Sequence, residues 1–132
     1  MNVFVDTSAF FAVMDADDRN HKQAKAVWRD ILNSETIMIC TNYVLVETFA
    51  LLQSRLGLKA VRSFQTDAVP VLQVEWVSET LHRIAVSALL VAHRRRISLV
   101  DCVSFETMRA LGIRKAFAFN PDFLQQGFQC VP

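Results

Sequence analysis

The sequence predicts an α/β fold in which helices cover both faces of a central parallel sheet. Short, continuously apolar segments recur along the chain, and longer segments with helical periodicity lie between them. Strands that alternate with helices favour parallel pairing, and unbroken apolarity is typical of strands buried on both faces. The three glycines and three prolines are scattered, so no linker divides the chain. We expect one domain over residues 1–132.

The strands and helices are predicted in alternating order. Strands are predicted over residues 3–5 (VFV), 37–40 (IMIC), 71–74 (VLQV) and 116–119 (AFAF). A helix begins near Ser8, and the next has one apolar face with three-four spacing: Ala24, Val27, Trp28, Ile31 and Leu32. Further helices are predicted over residues 43–56, 58–69, 78–95 and 99–111, the last closed by Gly112. We expect the tryptophans and most phenylalanines on buried faces.

Composition restricts the class of protein. With 52% apolar and 20% charged residues, the chain is too hydrophobic to be disordered, and its balanced net charge of +1 says nothing for or against a polyanionic partner. No apolar run reaches the length of about eighteen residues that a membrane span needs, and we expect no membrane contact and a cytoplasmic location. The three cysteines lack metal-ligand spacing and are expected to be free thiols: Cys40, Cys102 and Cys130.

Acidic and amide side chains occur at places where strands end or where apolar residues surround them. Asp6 follows the first strand, Asn120 and Asp122 follow the fourth, and Asp101 lies at the start of a helix. In open parallel sheets, ligands bind beyond the carboxyl ends of strands, where successive connections diverge. Glu47 lies inside the apolar stretch YVLVETFALL, without a Lys or Arg three or four residues away. It therefore needs a cation from elsewhere.

Most of these side chains also have a structural explanation. Asp6 or Thr7 could cap the first helix, SLVD has the pattern of a capping box, and Asn120 before Pro121 is typical of a helix start. Several carboxylates meeting in one crevice would repel one another unless a cation lay between them. Oxygen ligands favour Mg²⁺ or Mn²⁺, and such ions promote hydrolysis at phosphorus without a nucleophilic side chain.

Four ordered segments carry a resemblance to a known family: VDTSAFFA, TNYVLVET, SLVDCVSFETMRALGI and AFAFNPDFLQQGF. With them, the chain resembles a PIN-domain ribonuclease of the VapC toxin type over essentially its whole length. The resemblance implies a three-layer α/β/α fold and a Mg²⁺- or Mn²⁺-dependent endoribonuclease that hydrolyses RNA with an activated water. It also implies a homodimer and inhibition by a VapB-type antitoxin whose tail enters the acidic pocket.

The resemblance assigns roles to particular residues. It implies that Asp6 and Asp101 bind the metal directly, and that Glu47 holds a water ligand of the metal or orients the attacking water. Thr7 and Ser8 would line the same pocket.

The chain departs from the family at Asn120, where members usually carry an acid. Asn120 could still offer its carbonyl oxygen, or Asp122 could supply the missing charge. The candidate catalytic set is therefore Asp6, Glu47, Asp101, Asn120 and Asp122, and all but Asn120 are candidate metal ligands. We expect Asn120→Asp to raise metal affinity and cleavage.

Other functions fit the sequence less well. A histidine-based ribonuclease is disfavoured because His21, His82 and His93 lie away from the predicted strand ends. An aspartyl phosphoacceptor or phosphatase is disfavoured because Thr7 and Ser8 follow Asp6, where a phosphatase would have DxD. The serious alternative is a PIN module weakened at Asn120 that binds RNA or a protein without turnover.

Two surface predictions remain. The segment HRRRIS, residues 93–98, could contact phosphates, although at least two of its arginines fit the favourable charge of a helix C-terminus. The helices over residues 43–69 carry more apolar side chains than one sheet contact needs, and part of that surface is expected to form a dimer. The side chains available for this contact are Leu51, Leu52, Leu56, Leu58, Val61 and Phe64.

Overall fold

The computed structural model describes residues 1–92 and 97–132, and within them it has five strands and seven α-helices. The predicted phosphate contact of the arginines in residues 93–96 lies outside the described residues. In chain order the elements are β1 (Asn2–Val5), α1 (Thr7–Met14), α2 (His21–Leu32), β2 (Ile37–Thr41), α3 (Asn42–Leu56), α4 (Leu58–Ser63), β3 (Leu72–Glu75), α5 (Glu79–Ala92), α6 (Leu99–Leu111), β4 (Lys115–Phe117), α7 (Asp122–Gln125) and β5 (Gln129–Val131).

All five strands are parallel and lie in the order β3-β2-β1-β4-β5. Phe4 in the central strand pairs with Ile39 on one side and Ala116 on the other. From β1 the chain passes to β2 and then to β3 on one side of β1, and the next connection returns past β1 to β4 on its other side. Because such crossovers are right-handed, the connections change face between β1 and β4. That change places a crevice at the carboxyl ends of these two strands.

Aromatic side chains build a separate core on each face of the sheet. On one face Phe10 of α1 meets Phe64 at 5.1 Å between ring centroids, and Trp28 and Phe49 pack around this pair. On the other face the core consists of Phe4, Phe105, Phe123 and Phe128. Residues 3–5 are at most 1% exposed, as their continuous apolarity predicts. The three-layer α/β/α architecture is therefore confirmed.

Polar side chains fix where several helices begin, as their sequence patterns predict. Asp6 caps α1, Thr41 caps α3, and Ser98 caps α6 in a complete capping box. Each cap satisfies backbone N–H groups that the first helical turn leaves without partners. At the other end of α6, Gly112 has φ of 68°, the left-handed conformation that favours glycine.

The structure differs from the predicted elements in four places. The helix predicted over residues 58–69 is α-helical only to Ser63, then continues as a π-helix over Phe64–Ala68 and a 3₁₀ turn over Val69–Val71. Val69, the residue before Pro70, keeps right-handed helical angles (φ −55°, ψ −40°), but Pro70 has no backbone N–H to donate and lies in the 3₁₀ turn, after which Leu72 is extended. The third strand therefore begins at Leu72. The fourth strand already ends at Phe117, and β5 was not predicted because its three residues, QCV, carry too little pattern.

Several predictions of burial need correction. Trp76 is 76% exposed rather than buried. Leu52 and Phe64 are completely buried, so they belong to the core and cannot contribute to a dimer surface. The cysteines are free, as expected, and burial raises the pKa of the Cys40 thiol to about 12. In the described part of the chain, no helix combines the length and apolarity needed to cross a membrane.

Candidate active site

An open cleft of about 450 Å³ lies at the carboxyl ends of β1 and β4, where the change of face predicts a site. Asp6, Glu47 and Asp101 all line it, together with Asn120. Asp6 follows β1, Glu47 lies on α3, and Asp101 lies on α6. The structure thus brings three of the four predicted acids together from three separate segments. Thr7 and Ser8 line the cleft as well.

Hydrogen bonds hold the Asp6 side chain in place and connect the end of β1 with the end of β4. Its Oδ2 atom accepts hydrogen bonds from the Ser8 backbone N–H (3.1 Å) and from Ser8 Oγ (2.6 Å). Ser8 Oγ in turn accepts from the Phe119 N–H at 3.0 Å, and the Asp6 N–H donates to the Phe117 carbonyl at 3.1 Å. Asp6 is 4% exposed, and burial raises its pKa from 3.8 to about 6 even though the Ser8 hydrogen bonds favour the charged form.

Asp101 takes part in the capping box of α6 and also lines the cleft. Its Oδ2 atom accepts from the Ser98 N–H at 3.1 Å, and its own N–H donates to Ser98 Oγ at 3.0 Å. Burial raises the pKa of Asp101, and the charge of Asp122 raises it further. The capping box and the cleft site, alternatives at the level of sequence, are therefore compatible in the folded protein.

Glu47 projects from α3 into the cleft without an ion pair in the part of the chain that the structure describes. Burial raises its pKa, a hydrogen bond from the Thr7 side chain offsets part of the rise, and the charge of Asp101 adds to it. Below this carboxylate, Thr7 and Thr48 hydroxyls lie 3.0 Å apart, and Thr48 donates to the Val44 carbonyl at 2.7 Å. These buried hydrogen bonds fix α1 against α3 and so fix Glu47 relative to Asp6.

Asn120 binds its neighbours with both ends of its amide. Its Oδ1 atom accepts from the Asp122 N–H at 3.0 Å, which directs Nδ2 toward Asp101 Oδ1 at 3.5 Å. In this orientation Asn120 donates into the cleft and turns its carbonyl oxygen away from it. The helix α7 begins at Asp122, one residue later than a start at Pro121. Asp122 is buried and is not among the residues that line the cleft, although its charge acts on Asp101.

Residues without a sequence signal complete the cleft. Phe11, Leu51 and Phe119 form apolar parts of the wall, and Asp18 and Asn20 contribute from the α1–α2 connection. Leu51 lies four residues after Glu47, one helical turn along the same ridge of α3, and this spacing could have identified it. Phe11, Phe119 and the connection carry no comparable pattern.

The charge of the cleft is compatible with a hard divalent cation. Among the described residues, no Lys or Arg lines it. Burial raises the pKa of Asp6, Glu47 and Asp101, and the charge of Asp101 adds to the rise at the other two. In residues 1–92 and 97–132, His, Cys, Asp and Glu side chains do not come together in threes as a complete ligand group. One or two carboxylates with water as the remaining ligand suit Mg²⁺, which rarely uses an all-protein cage. The donor set therefore fits Mg²⁺ or Mn²⁺ and not zinc.

Comparison with known proteins agrees with the fold. Residues 3–129 match the family model described as "PIN domain", and the chain belongs to this family. It is 37% identical over 127 residues to the "23S rRNA-specific endonuclease VapC20" of Mycobacterium tuberculosis, covering 96% of this chain and 95% of that protein, in two strains. The predicted class, a homologue of VapC-type ribonuclease toxins, is confirmed.

Solved structures extend the similarity to three dimensions. The crystal structure of Mycobacterium tuberculosis VapC20, described as a sarcin-ricin loop cleaving toxin, superposes with a TM-score of 0.84 at 36% identity, covering 96% of this chain and 95% of that one. FitAcB from Neisseria gonorrhoeae superposes with a TM-score of 0.70 at 11% identity, covering 100% of this chain and 97% of that one. The second likeness concerns the fold alone.

Proposed function

We propose that this protein is a Mg²⁺- or Mn²⁺-dependent endoribonuclease whose cleft acids are Asp6, Glu47 and Asp101. The observation that carries the proposal is the convergence of these three carboxylates, without a cation from the described residues, at the edge of the sheet where ligands bind. Burial raises the pKa of Asp6 to about 6, a cost that a structural carboxylate would not need. Membership in the PIN family supports the same reaction.

Each acid has a distinct task in this proposal. Asp6 and Asp101 would hold the ion. In each carboxylate one oxygen accepts a hydrogen bond from a backbone N–H, that of Ser8 or that of Ser98, and the second oxygen is left for the cleft. When bound, the ion would polarise the phosphoryl oxygen and favour ionisation of water. Glu47 would accept a hydrogen bond from the attacking water and orient it. Asn120 would position Asp101 through its amide N–H, and Asp122 would act on Asp101 through its charge.

The substrate proposal follows from the relative. VapC20 is by its name specific for 23S rRNA and cleaves the sarcin-ricin loop. We propose the same loop as substrate here, because the 37% identity extends over 96% of this chain.

The protein partners follow the same reasoning. We propose a VapB-type antitoxin whose cationic side chain neutralises the cleft carboxylates, and a homodimer through the helices of residues 43–69. The exposed side chains that support a dimer there are Val46, Leu56 and Leu58, at 68%, 37% and 52% exposure.

A second candidate is a weakened module that binds RNA or protein without turnover, and Asn120 is the observation that favours it. One experiment separates the two. A labelled sarcin-ricin loop RNA is incubated with the protein, with Asp6→Asn and with Asp30→Asn, which removes an exposed acid of α2 as a matched control. We expect Mn²⁺-dependent cleavage by the parent and by Asp30→Asn, and none by Asp6→Asn or with excess chelator. RNA binding without cleavage by the parent would instead favour the weakened module.

A further inference from the structure

Two aromatic rings stand partly exposed in the wall of the acidic cleft. Phe11 lies on α1, and Phe119 lies on the connection between β4 and α7. The other eight phenylalanines have clear structural places. Phe49 packs edge-on against Phe64, and Phe128 lies under the Arg109 guanidinium. The six buried ones are Phe4, Phe10, Phe64, Phe105, Phe117 and Phe123. Phe119 packs edge-on against Phe117, with 6.3 Å between ring centroids, whereas within residues 1–92 and 97–132 Phe11 makes no ring contact.

In the part of the chain that the structure describes, the cleft offers RNA no positive charge. Its carboxylates repel a phosphodiester, and no described Lys or Arg lines it to compensate. What the described walls offer is apolar surface, contributed by Phe11, Leu51 and Phe119. Nucleobases of RNA loops are unstacked and bind aromatic side chains by stacking. A base against each ring would remove that ring from water and hold the adjoining phosphate over the acids.

We propose that Phe11 and Phe119 are base-stacking residues that hold the nucleotides flanking the scissile phosphate, an inference that rests on the proposed ribonuclease function. Stacking of one base on an aromatic side chain changes affinity by about 5- to 150-fold. The backbone N–H of Phe119 donates to Ser8 Oγ, which holds Asp6, so one segment carries both the ring and a support of the acid. The two rings thus bind RNA close to the site of hydrolysis.

The test combines ring removal with base removal. The cut in the sarcin-ricin loop RNA is mapped first, and analogues are then made that lack the base on either side of it. Phe11→Leu and Phe119→Leu remove the aromatic face but keep an apolar side chain. Phe49→Leu, a half-buried ring packed against Phe64 and outside the cleft lining, is the matched control.

We expect each cleft variant to raise KM about tenfold on intact RNA with little change in kcat, and Phe11→Tyr to restore KM. On RNA that lacks the corresponding base, the KM of the parent should rise by the same factor, and the cleft variants should have no higher KM than the parent. Phe49→Leu should lower thermal stability without changing KM.

Three results would overturn the inference. They are an unchanged KM in both cleft variants, an equal loss on intact and abasic RNA, or a parent enzyme indifferent to base removal on both sides. The last measurement needs no variant, so it decides the matter even if a leucine variant fails to fold. Failure of the proposed function looks different, because the parent would then show no metal-dependent cleavage of any RNA.

Discussion

The variant Asn120→Asp should lower the stability of the metal-free protein and at the same time raise its metal affinity and its cleavage rate. Asn120 Nδ2 lies 3.5 Å from Asp101 Oδ1, so Asn120→Asp would place a carboxylate oxygen where a donor stands now. Two unit charges at that distance repel by about 5 kcal/mol at an effective dielectric constant of about 20, and by about 1 kcal/mol in bulk water. The cleft is open, and we expect the metal-free protein to lose about 1–3 kcal/mol of unfolding free energy at about pH 8.

A divalent ion should reverse this loss, because the ion would lie between the two carboxylates. We expect Mg²⁺ affinity to rise about tenfold, equivalent to about 1.4 kcal/mol, and cleavage to rise with it. Urea unfolding with chelator and then with excess Mg²⁺ measures the first effect, and titration calorimetry measures the second. Asn2→Asp makes the same charge change at the exposed N-terminal end of β1, on the opposite edge of the sheet, and should change neither quantity.

The reasoning would be refuted if Asn120→Asp unfolded at the same urea concentration as the parent in chelator and bound Mg²⁺ no more tightly. Side chain 120 would then not face Asp101 in solution.

Three further measurements test the site and its supports. The pKa of Asp6 is about 6 in the folded protein against 3.8 ordinarily, so the folded state binds the proton more tightly and the metal-free protein should lose about 3 kcal/mol from this group as pH rises from about 4 to above 6. The difference in unfolding free energy between parent and Asp6→Asn should fall across that window, and a rise would contradict the assignment. Ser98→Ala removes the cap of α6 and should cost about 1 kcal/mol in urea unfolding and weaken Mg²⁺ binding through Asp101, whereas unchanged stability would show that the capping box contributes nothing. Gly112→Ala should cost about 1–2 kcal/mol of stability by backbone strain alone, since nothing lies within 4 Å of the added methyl group, and cleavage should stay at the parental rate.

The sequence was sufficient for features that depend on local pattern. Apolar runs identified four of the five strands, and cap residues identified the starts of α1 and α6. The meeting of Asp6 with Asp101 was predictable because the change of connection direction fixes where a parallel sheet binds ligands. Glu47 was recognisable because an acid within an apolar helical stretch needs a cation.

Features that arise from tertiary contact were not predictable. The π-helical turn at Phe64–Ala68 carries Phe64 toward Phe10 and Phe49, and only the packed core shows that this contact exists. The orientation of the Asn120 amide depends on the Asp122 N–H, and the short β5 depends on pairing with β4. Phe11 and Phe119 looked like ordinary core residues because a buried ring and a cleft ring have the same sequence pattern.

Asp6 and Asp101 both line the cleft and stabilise the start of a helix, and these two roles have a consequence for how the protein can evolve. Asp6 caps α1, and Asp101 accepts the Ser98 N–H in the capping box of α6, each with an oxygen that asparagine also possesses. Asparagine caps about as well as aspartate. A single-base change from an aspartate codon to an asparagine codon would therefore remove a charge and leave the fold intact. In a lineage in which a toxin of this architecture is not inhibited, one such mutation would give a protein that is inactive but still folded. Asn120 is the residue such a step would leave behind, and the reverse step is equally short.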